Sequence, residues 1–313
     1  MSNLNPQQPN ILFILTDDQG AWALGAAGNR EIRTPNLDRL AATGTRCENF
    51  FCASPVCSPA RASILTGCIP SQHGVHDWLR AGNYSAEGPL IEYLQGQPGY
   101  TDFLAAAGYT CGLSGKWHLG DAHHPQKGFS YWAVHATGGG PYYGAPMLHQ
   151  GATEGELYAE PRYVTDVITD NALAFLEAQA GSDRPFYLGV HYTAPHSPWD
   201  RGNHPADLYD SYRHDCPFES VPHLPMHPWQ VNSAPVGQDD AGRRDVLSGY
   251  FSAVTAMDAN VGRLLDWLEA HGLRENTLVI FTGDNGMNMG HHGLYGKGNA
   301  SFPTLQALLP GLA

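Results

Sequence analysis

The stretch NILFILTDDQG, Asn10 to Gly20, sets an apolar run directly against an acidic pair. It reads as a buried strand with β character, closed by Asp17, Asp18 and Gly20. NTLVIFTGDNG (Asn276–Gly286) repeats the plan, a strand shut off by a polar turn at Asp284 and Asn285. Helical patterns fall between the two. PNLDRLAATG is a short helix with Pro35 near its start and Gly44 past its end. YTDFLAAAGYTCGLSGKWHLG predicts a helix, a break at Gly108, a strand around Tyr109 to Leu113, and then a loop. YVTDVITDNALAFLEAQ is helical, and PFYLGVHYTAPH is a strand followed by a loop. A long helix is expected from about Asp245 to His271, with Tyr250, Val254, Met257, Val261, Leu264 and Leu268 on its buried stripe. Such alternation predicts an α/β fold, a mostly parallel central sheet sandwiched by helices. Ligands of such sheets bind beyond the carboxyl ends of the strands. Asp17-Asp18, Lys116-His118, His196 and Asp284-Asn285 all fall there.

Acidic residues outnumber basic ones 30 to 17 in 313 residues, for a formal charge of −13. That argues against a nucleic-acid or anionic-membrane surface but leaves room for a small anionic ligand at a local positive cluster. No window approaches the apolar length of a membrane span. The leader MSNLNPQQPN carries no Lys or Arg, so it lacks the charged start of a secretory signal, and a cytoplasmic protein is expected. The six cysteines include no C-x-x-C pair, which disfavours thiolate zinc and favours reduced thiols. Gly128–Pro161 and Trp199–Gln238 are Gly-, aromatic- and Pro-rich, and read as long excursions that form pocket walls or lids.

Two acidic or acid–amide pairs at two strand ends need neutralising. Asp17, Asp18, Asp284 and Asn285 suit a hard divalent cation, Ca²⁺ with Mg²⁺ as the alternative. The competing explanation is that each pair caps its own turn. In SGKWHLG, alternation aims Lys116 and His118 to one side and Trp117 to the other. It is no phosphate loop, because Thr110 stands where a glycine is required and Trp117 follows the lysine. GGGPYYG (Gly138–Gly144) misses the dinucleotide-binding spacing. His196 sits between prolines in a stiff loop, Lys297 lies in a glycine-rich loop, and His291 and His292 receive no role. In ASPVCSPARASILTG (Ala53–Gly67), Pro59 belongs in a first helical turn. That places Cys57 near a helix amino end with Arg61 one turn on, beside an anion site.

CSPARASILTG resembles the type I sulfatase signature, Cys-x-Pro-x-Arg followed by Leu-Thr-Gly, and GYTCGLSGKWHLG resembles that family's second signature. The two acidic pairs fall where the family keeps its metal ligands. The resemblance implies an alkaline-phosphatase-like fold and hydrolysis of an alkyl, aryl or carbohydrate sulfate ester. It implies that a formylglycine-generating enzyme converts Cys57 to formylglycine, that the hydrate is the nucleophile, and that one of its oxygens joins Asp17, Asp18, Asp284 and Asn285 on the metal. By the same resemblance Arg61 holds the hydrate, Lys116 and Lys297 bind sulfate oxygens, His196 protonates the leaving alcohol and His118 is the base that expels sulfate. The resemblance runs from about Asn10 to Pro303. The expected division is therefore a tail at 1–9, a catalytic domain at 10–303 and a non-family tail at 304–313, with the C-terminal subdomain largely missing. A phosphonate or phosphodiester hydrolase, and a non-catalytic remnant that only binds metal or anion, are the alternatives.

Overall fold

The structure is a computed structural model. It describes residues 8–84, 88–149, 157–233, 237, 239–298 and 309–312, so the expected tail boundary at 303 lies outside the described residues. The strands are β1 (Asn10–Thr16), β2 (Thr45–Cys47), β3 (Thr110–Lys116), β4 (Tyr131–His135), β5 (Ala145–His149), β6 (Tyr158–Glu160), β7 (Phe186–His191) and β8 (Thr277–Gly283). The helices are α1 (Pro35–Thr43), α2 (Cys57–Thr66), α3 (Pro70–His73), α4 (Tyr100–Ala106), α5 (Val164–Gln179), α6 (Ala206–Asp215), α7 (Pro228–Ser233) and α8 (Asp240–Ala270).

Seven strands form one sheet in the order β6-β5-β4-β3-β7-β1-β8. β1 runs parallel to both β7 and β8, and β3 parallel to both β7 and β4, while β5 and β6 close one side antiparallel. The alternation of β1 splits its apolar residues between two layers. Leu12 and Ile14 pack with Val164, Ile168, Met257, Val261 and Leu264 of α5 and α8. Phe13 and Leu15 pack with Ala62 and Leu65 of α2 and with Leu113 and Tyr187. Leu12 and Ile14 are fully buried, and each such side chain contributes about 2 kcal/mol relative to exposure. The α/β sandwich expected from the sequence is thus the observed fold.

Three expectations need correcting. β3 does not end near Leu113 but runs on to Lys116, because it is paired on both sides: Gly115 opposes His191 and Lys116 opposes His135. Lys116 therefore stands on a strand end and not in a loop. The excursion Gly128–Pro161 supplies β4, β5 and β6 to the main sheet, although residues 150–156 within it lie outside the described set. Its strands are short, three to five residues, which hides the period of two. The long helix begins at Asp240, five residues earlier than expected, because Asp239 caps it by accepting from the Gly242 N–H at 2.7 Å.

Among the described residues no helix is long and apolar enough to cross a membrane, and all six cysteines are free thiols.

Candidate active site

The site is built at the carboxyl ends of β1, β3, β7 and β8. β1 and β8 are neighbours with Thr16 opposite Gly283, so Asp17-Asp18 and Asp284-Asn285 leave the sheet side by side. The Asp284 N–H bonds to the Thr16 carbonyl at 3.0 Å and the Asp17 N–H to the Ala194 carbonyl at 3.0 Å, which fixes the backbone on both flanks. Asp18 (φ 68°) and His118 (φ 56°) are held in the left-handed region, which non-glycine residues reach at a cost usually met at functional sites.

Three buried carboxylates face three cations. Lys116 Nζ is ion-paired with Asp17 Oδ2. Lys297 Nζ lies 2.5 Å from Asp18 Oδ1 and 3.9 Å from Asp17 Oδ1. Arg61 Nε donates to Asp284 Oδ2 at 3.0 Å, and its Nη1 donates to the Lys116 carbonyl at 3.1 Å. The backbone N–H groups of Asp18 and Asn285 both donate to Asp284 Oδ1, at 3.2 and 2.7 Å. Burial pushes the Asp17 carboxyl upward, but Lys116, His196 and Lys297 outweigh it and hold the group below the usual carboxylate range. Asp18 behaves alike, with Lys297 the main counterweight to burial. Burial opposes the charge of Lys297, yet Asp18 and its neighbours hold that lysine well above the ordinary range.

The donor set fits a hard cation. One oxygen each of Asp17, Asp18 and Asp284 lie within 4.8 Å of one another, all three residues being buried. Asp17 Oδ1 and Asn285 Oδ1 are buried with no hydrogen-bond partner. The Asn285 amide is oriented unambiguously, because its Nδ2 donates to Asp18 Oδ1 and to the Gly286 carbonyl, both at 2.9 Å, and its oxygen is left spare beside the carboxylates. An all-oxygen set of this kind selects Ca²⁺ or Mg²⁺ over softer metals.

Cys57 is the first residue of α2 and is 2% exposed, with Arg61 one turn further on. Burial pushes its thiol up, more than Lys116 and Lys297 pull it down. An unmodified thiol here stays protonated and is a weak nucleophile. His118 is buried and bonds through Nε2 to the Leu79 carbonyl at 3.1 Å. A carbonyl only accepts, so Nε2 carries the proton and Nδ1 is the basic nitrogen. Burial, with help from Lys116 and Arg61, holds His118 well below the ordinary histidine range. His196 donates from Nδ1 to the Ser197 carbonyl at 2.7 Å, leaving Nε2 3.7 Å from Asp18 Oδ2. The cluster thus gathers Asp17, Asp18, Cys57, Arg61, Lys116, His196, Asp284, Asn285 and Lys297, with His118 at its side.

Several contributors escaped the sequence reading. Ser58 Oγ lies 3.3 Å from the His118 ring nitrogens and accepts the Leu79 N–H at 3.2 Å. Gly138 and Gly139 back the two histidines: a Cβ at Gly138 would lie 2.2 Å from the His118 ring, and one at Gly139 would lie 3.0 Å from His196. The GGG run at Gly138–Gly140 is the visible signal for this, although its spacing tests only a nucleotide loop. His291 sits outside the carboxylate group, its ring 5.0 Å from Trp22.

The fold and this carboxylate–lysine cluster define an alkaline-phosphatase-like α/β protein with its site at the strand ends. The family model described as Sulfatase matches residues 9–307, and the chain belongs to the sulfatase family. It is 29% identical over 364 residues to the N-acetylglucosamine-6-O-sulfatase of Bacteroides thetaiotaomicron, covering 94% of this chain and 62% of that protein. It is 33% identical over 297 residues to the ulvan-active sulfatase of Formosa agariphila, covering 91% and 52%. The chain therefore spans less than two thirds of the length of either relative. Among solved structures, that of BT4656 in complex with its substrate D-glucosamine-2-N,6-O-disulfate superposes with a TM-score of 0.74 at 26% identity, covering 97% of this chain and 70% of that one.

Proposed function

We propose that this protein hydrolyses sulfate esters and that its substrate is a sulfated sugar. The observation that carries this is the gathering of the buried position-57 side chain with buried Asp17, Asp284 and Lys116, and with the partly exposed Lys297, at the carboxyl ends of the central strands. A serine or thiol hydrolase needs no such cluster of acids around its nucleophile.

Asp17, Asp18, Asp284 and Asn285 would hold Ca²⁺, or Mg²⁺, which supplies Lewis-acid polarisation of the sulfuryl oxygens. Formylglycine made from Cys57 by a maturing enzyme would supply a geminal diol, one hydroxyl to attack sulfur and the other to collapse and release sulfate. The chain's own groups do the rest. Lys116, Lys297 and Arg61 place positive charge where negative charge grows on the sulfuryl oxygens. His196 presents Nε2 at the mouth and, in its imidazolium form, hands the Nε2 proton to the departing alcohol while Nδ1 keeps its bond to the Ser197 carbonyl. His118, kept neutral by burial, offers its unprotonated Nδ1, 3.3 Å from Ser58 Oγ, to take a proton when sulfate leaves.

The aromatic residues sort themselves by exposure. Tyr142 is fully buried, and Trp22 and Trp199 pack on Tyr250. Trp78 is 50% exposed with its ring 6.5 Å from His118 and the Arg80 guanidinium over it at 5.1 Å. An exposed indole beside the base is suited to stack on a sugar ring.

Protein matured with a formylglycine-generating enzyme should release sulfate from 6-O-sulfated N-acetylhexosamines and from an aryl sulfate, and leave a phosphodiester almost untouched. The peptide holding residue 57 should have lost sulfur and gained an aldehyde. Preferential turnover of the phosphodiester would move the assignment to the related phosphoryl hydrolases. No turnover despite a confirmed aldehyde would leave the non-catalytic remnant.

His196→Ala should lower turnover of alkyl and sugar sulfates by about 10²–10⁴-fold, the usual worth of a general acid. Aryl sulfates with activated leaving groups should lose far less. Equal losses on both classes, measured as kcat, would place the acid elsewhere.

A further inference from the structure

Behind Arg61, on the side away from the carboxylates, lies a small cavity of about 20 Å³ lined by Leu15, Arg61, Leu65, Tyr100, Trp117 and His191, among others. A space of this size holds one water molecule. Three of its lining residues carry a buried nitrogen without a hydrogen-bond partner: Arg61 Nη2, Trp117 Nε1 and His191 Nε2. Nothing in the sulfatase reading assigns a role to His191 or to the Trp117 N–H.

The polarities of the three nitrogens are fixed. His191 Nδ1 lies 3.1 Å from the Lys116 carbonyl, which can only accept, so Nδ1 carries the proton and Nε2 offers a lone pair. Arg61 Nη2 and Trp117 Nε1 can only donate. One acceptor and two donors match three of the four hydrogen-bonding valences of a single water. We propose that an ordered water occupies this cavity, accepts from Arg61 and Trp117, donates to His191, and so locks the guanidinium that grips Asp284.

This makes His191 a positioning residue. It touches the Lys116 carbonyl directly, the same oxygen that accepts from Arg61 Nη1 at 3.1 Å. Through the water it also reaches Nη2. The Arg61 fork is thereby held at Nε by Asp284, at Nη1 by Lys116 and at Nη2 by water. Leaving Nη2 unpaired in the interior would incur the desolvation penalty of a charged group's donor, which a water in the cavity removes. Groups behind a first ligand that are lost typically weaken metal binding by about 10–100-fold.

The hydration site rests on geometry alone, and only its effect on turnover rests on the sulfatase reading. A high-resolution crystal structure of the full chain decides the first part. Density for one water within hydrogen-bond distance of Arg61 Nη2, Trp117 Nε1 and His191 Nε2 is expected. An empty cavity, or a water touching only one of them, overturns the proposal. His191→Phe removes the acceptor and fills space, and calorimetric titration with Ca²⁺ should then show binding weakened about tenfold. His191→Asn retains a donor for the Lys116 carbonyl and leaves room for water, and should recover most of that loss. Affinities for Ca²⁺ within twofold of the parent in both variants would overturn the positioning role, whether or not the protein turns over sulfate. In active protein the His191→Phe defect should fall on kcat with KM nearly unchanged.

Discussion

Cys57→Ala is expected to abolish sulfate-ester turnover and leave the protein folded. The substitution removes only Sγ from the first residue of α2, whose cap, Val56, uses no side-chain bond. Alanine is the best helix former, and the hollow left by one sulfur costs about 1 kcal/mol. The thermal midpoint should therefore move little and Ca²⁺ should still bind, because Asp17, Asp18, Asp284 and Asn285 are untouched. Chemistry has no substitute for the lost group. His118 and His196 have no nucleophile to serve, and deleting the nucleophile from an assembled site costs on the order of 10⁶ in kcat in a well-studied protease. Release of a chromogenic alcohol, compared with matured parent protein, checks this. Turnover within tenfold of the parent would remove Cys57 from the mechanism.

Asp284→Ala should be the most damaging change to both metal content and stability. Asp284 is fully buried and holds three partners: Arg61 through Oδ2, and the N–H groups of Asp18 and Asn285 through Oδ1. Removing it deletes one metal oxygen and leaves a buried guanidinium uncompensated, a loss worth about 3–5 kcal/mol. Metal analysis after dialysis should find the cation gone, and the melting transition should fall well below that of the parent. Arg61→Met introduced beside Asp284→Ala should restore part of the stability, since it removes the stranded charge, and should not restore the metal. An undiminished metal content in Asp284→Ala would exclude this ligand.

Much of this was legible in the sequence, and the limits have physical causes. The buried strands carrying Asp17-Asp18 and Asp284-Asn285 were visible because continuous apolar runs followed by acid pairs are rare within one face pattern. The sequence already reads them as one metal set, and the sheet order supplies the physical reason, putting β1 beside β8 across more than 250 residues. Cys57 and Arg61 were legible from local helix geometry, one turn apart. Lys116 was found but placed in a loop, because the two strands flanking β3 come from elsewhere in the chain and extend it. Gly138, Gly139, Ser58 and His191 were not found. A glycine that makes room for a ring, and a histidine whose partner is a backbone carbonyl 75 residues away, leave no periodic trace.

The pairing of three buried acids with Arg61, Lys116 and Lys297 has a further meaning for how the molecule works. The cluster is electrically even by itself, so the chain can collapse around it before any ion is loaded. Arrival of a divalent cation would tip it to a surplus of two positive charges, buried inside a polypeptide of net charge −13. Such a molecule repels anions at a distance and captures them at close range. Such a field would favour ligands whose neutral body reaches the mouth first and brings a charged group in behind it.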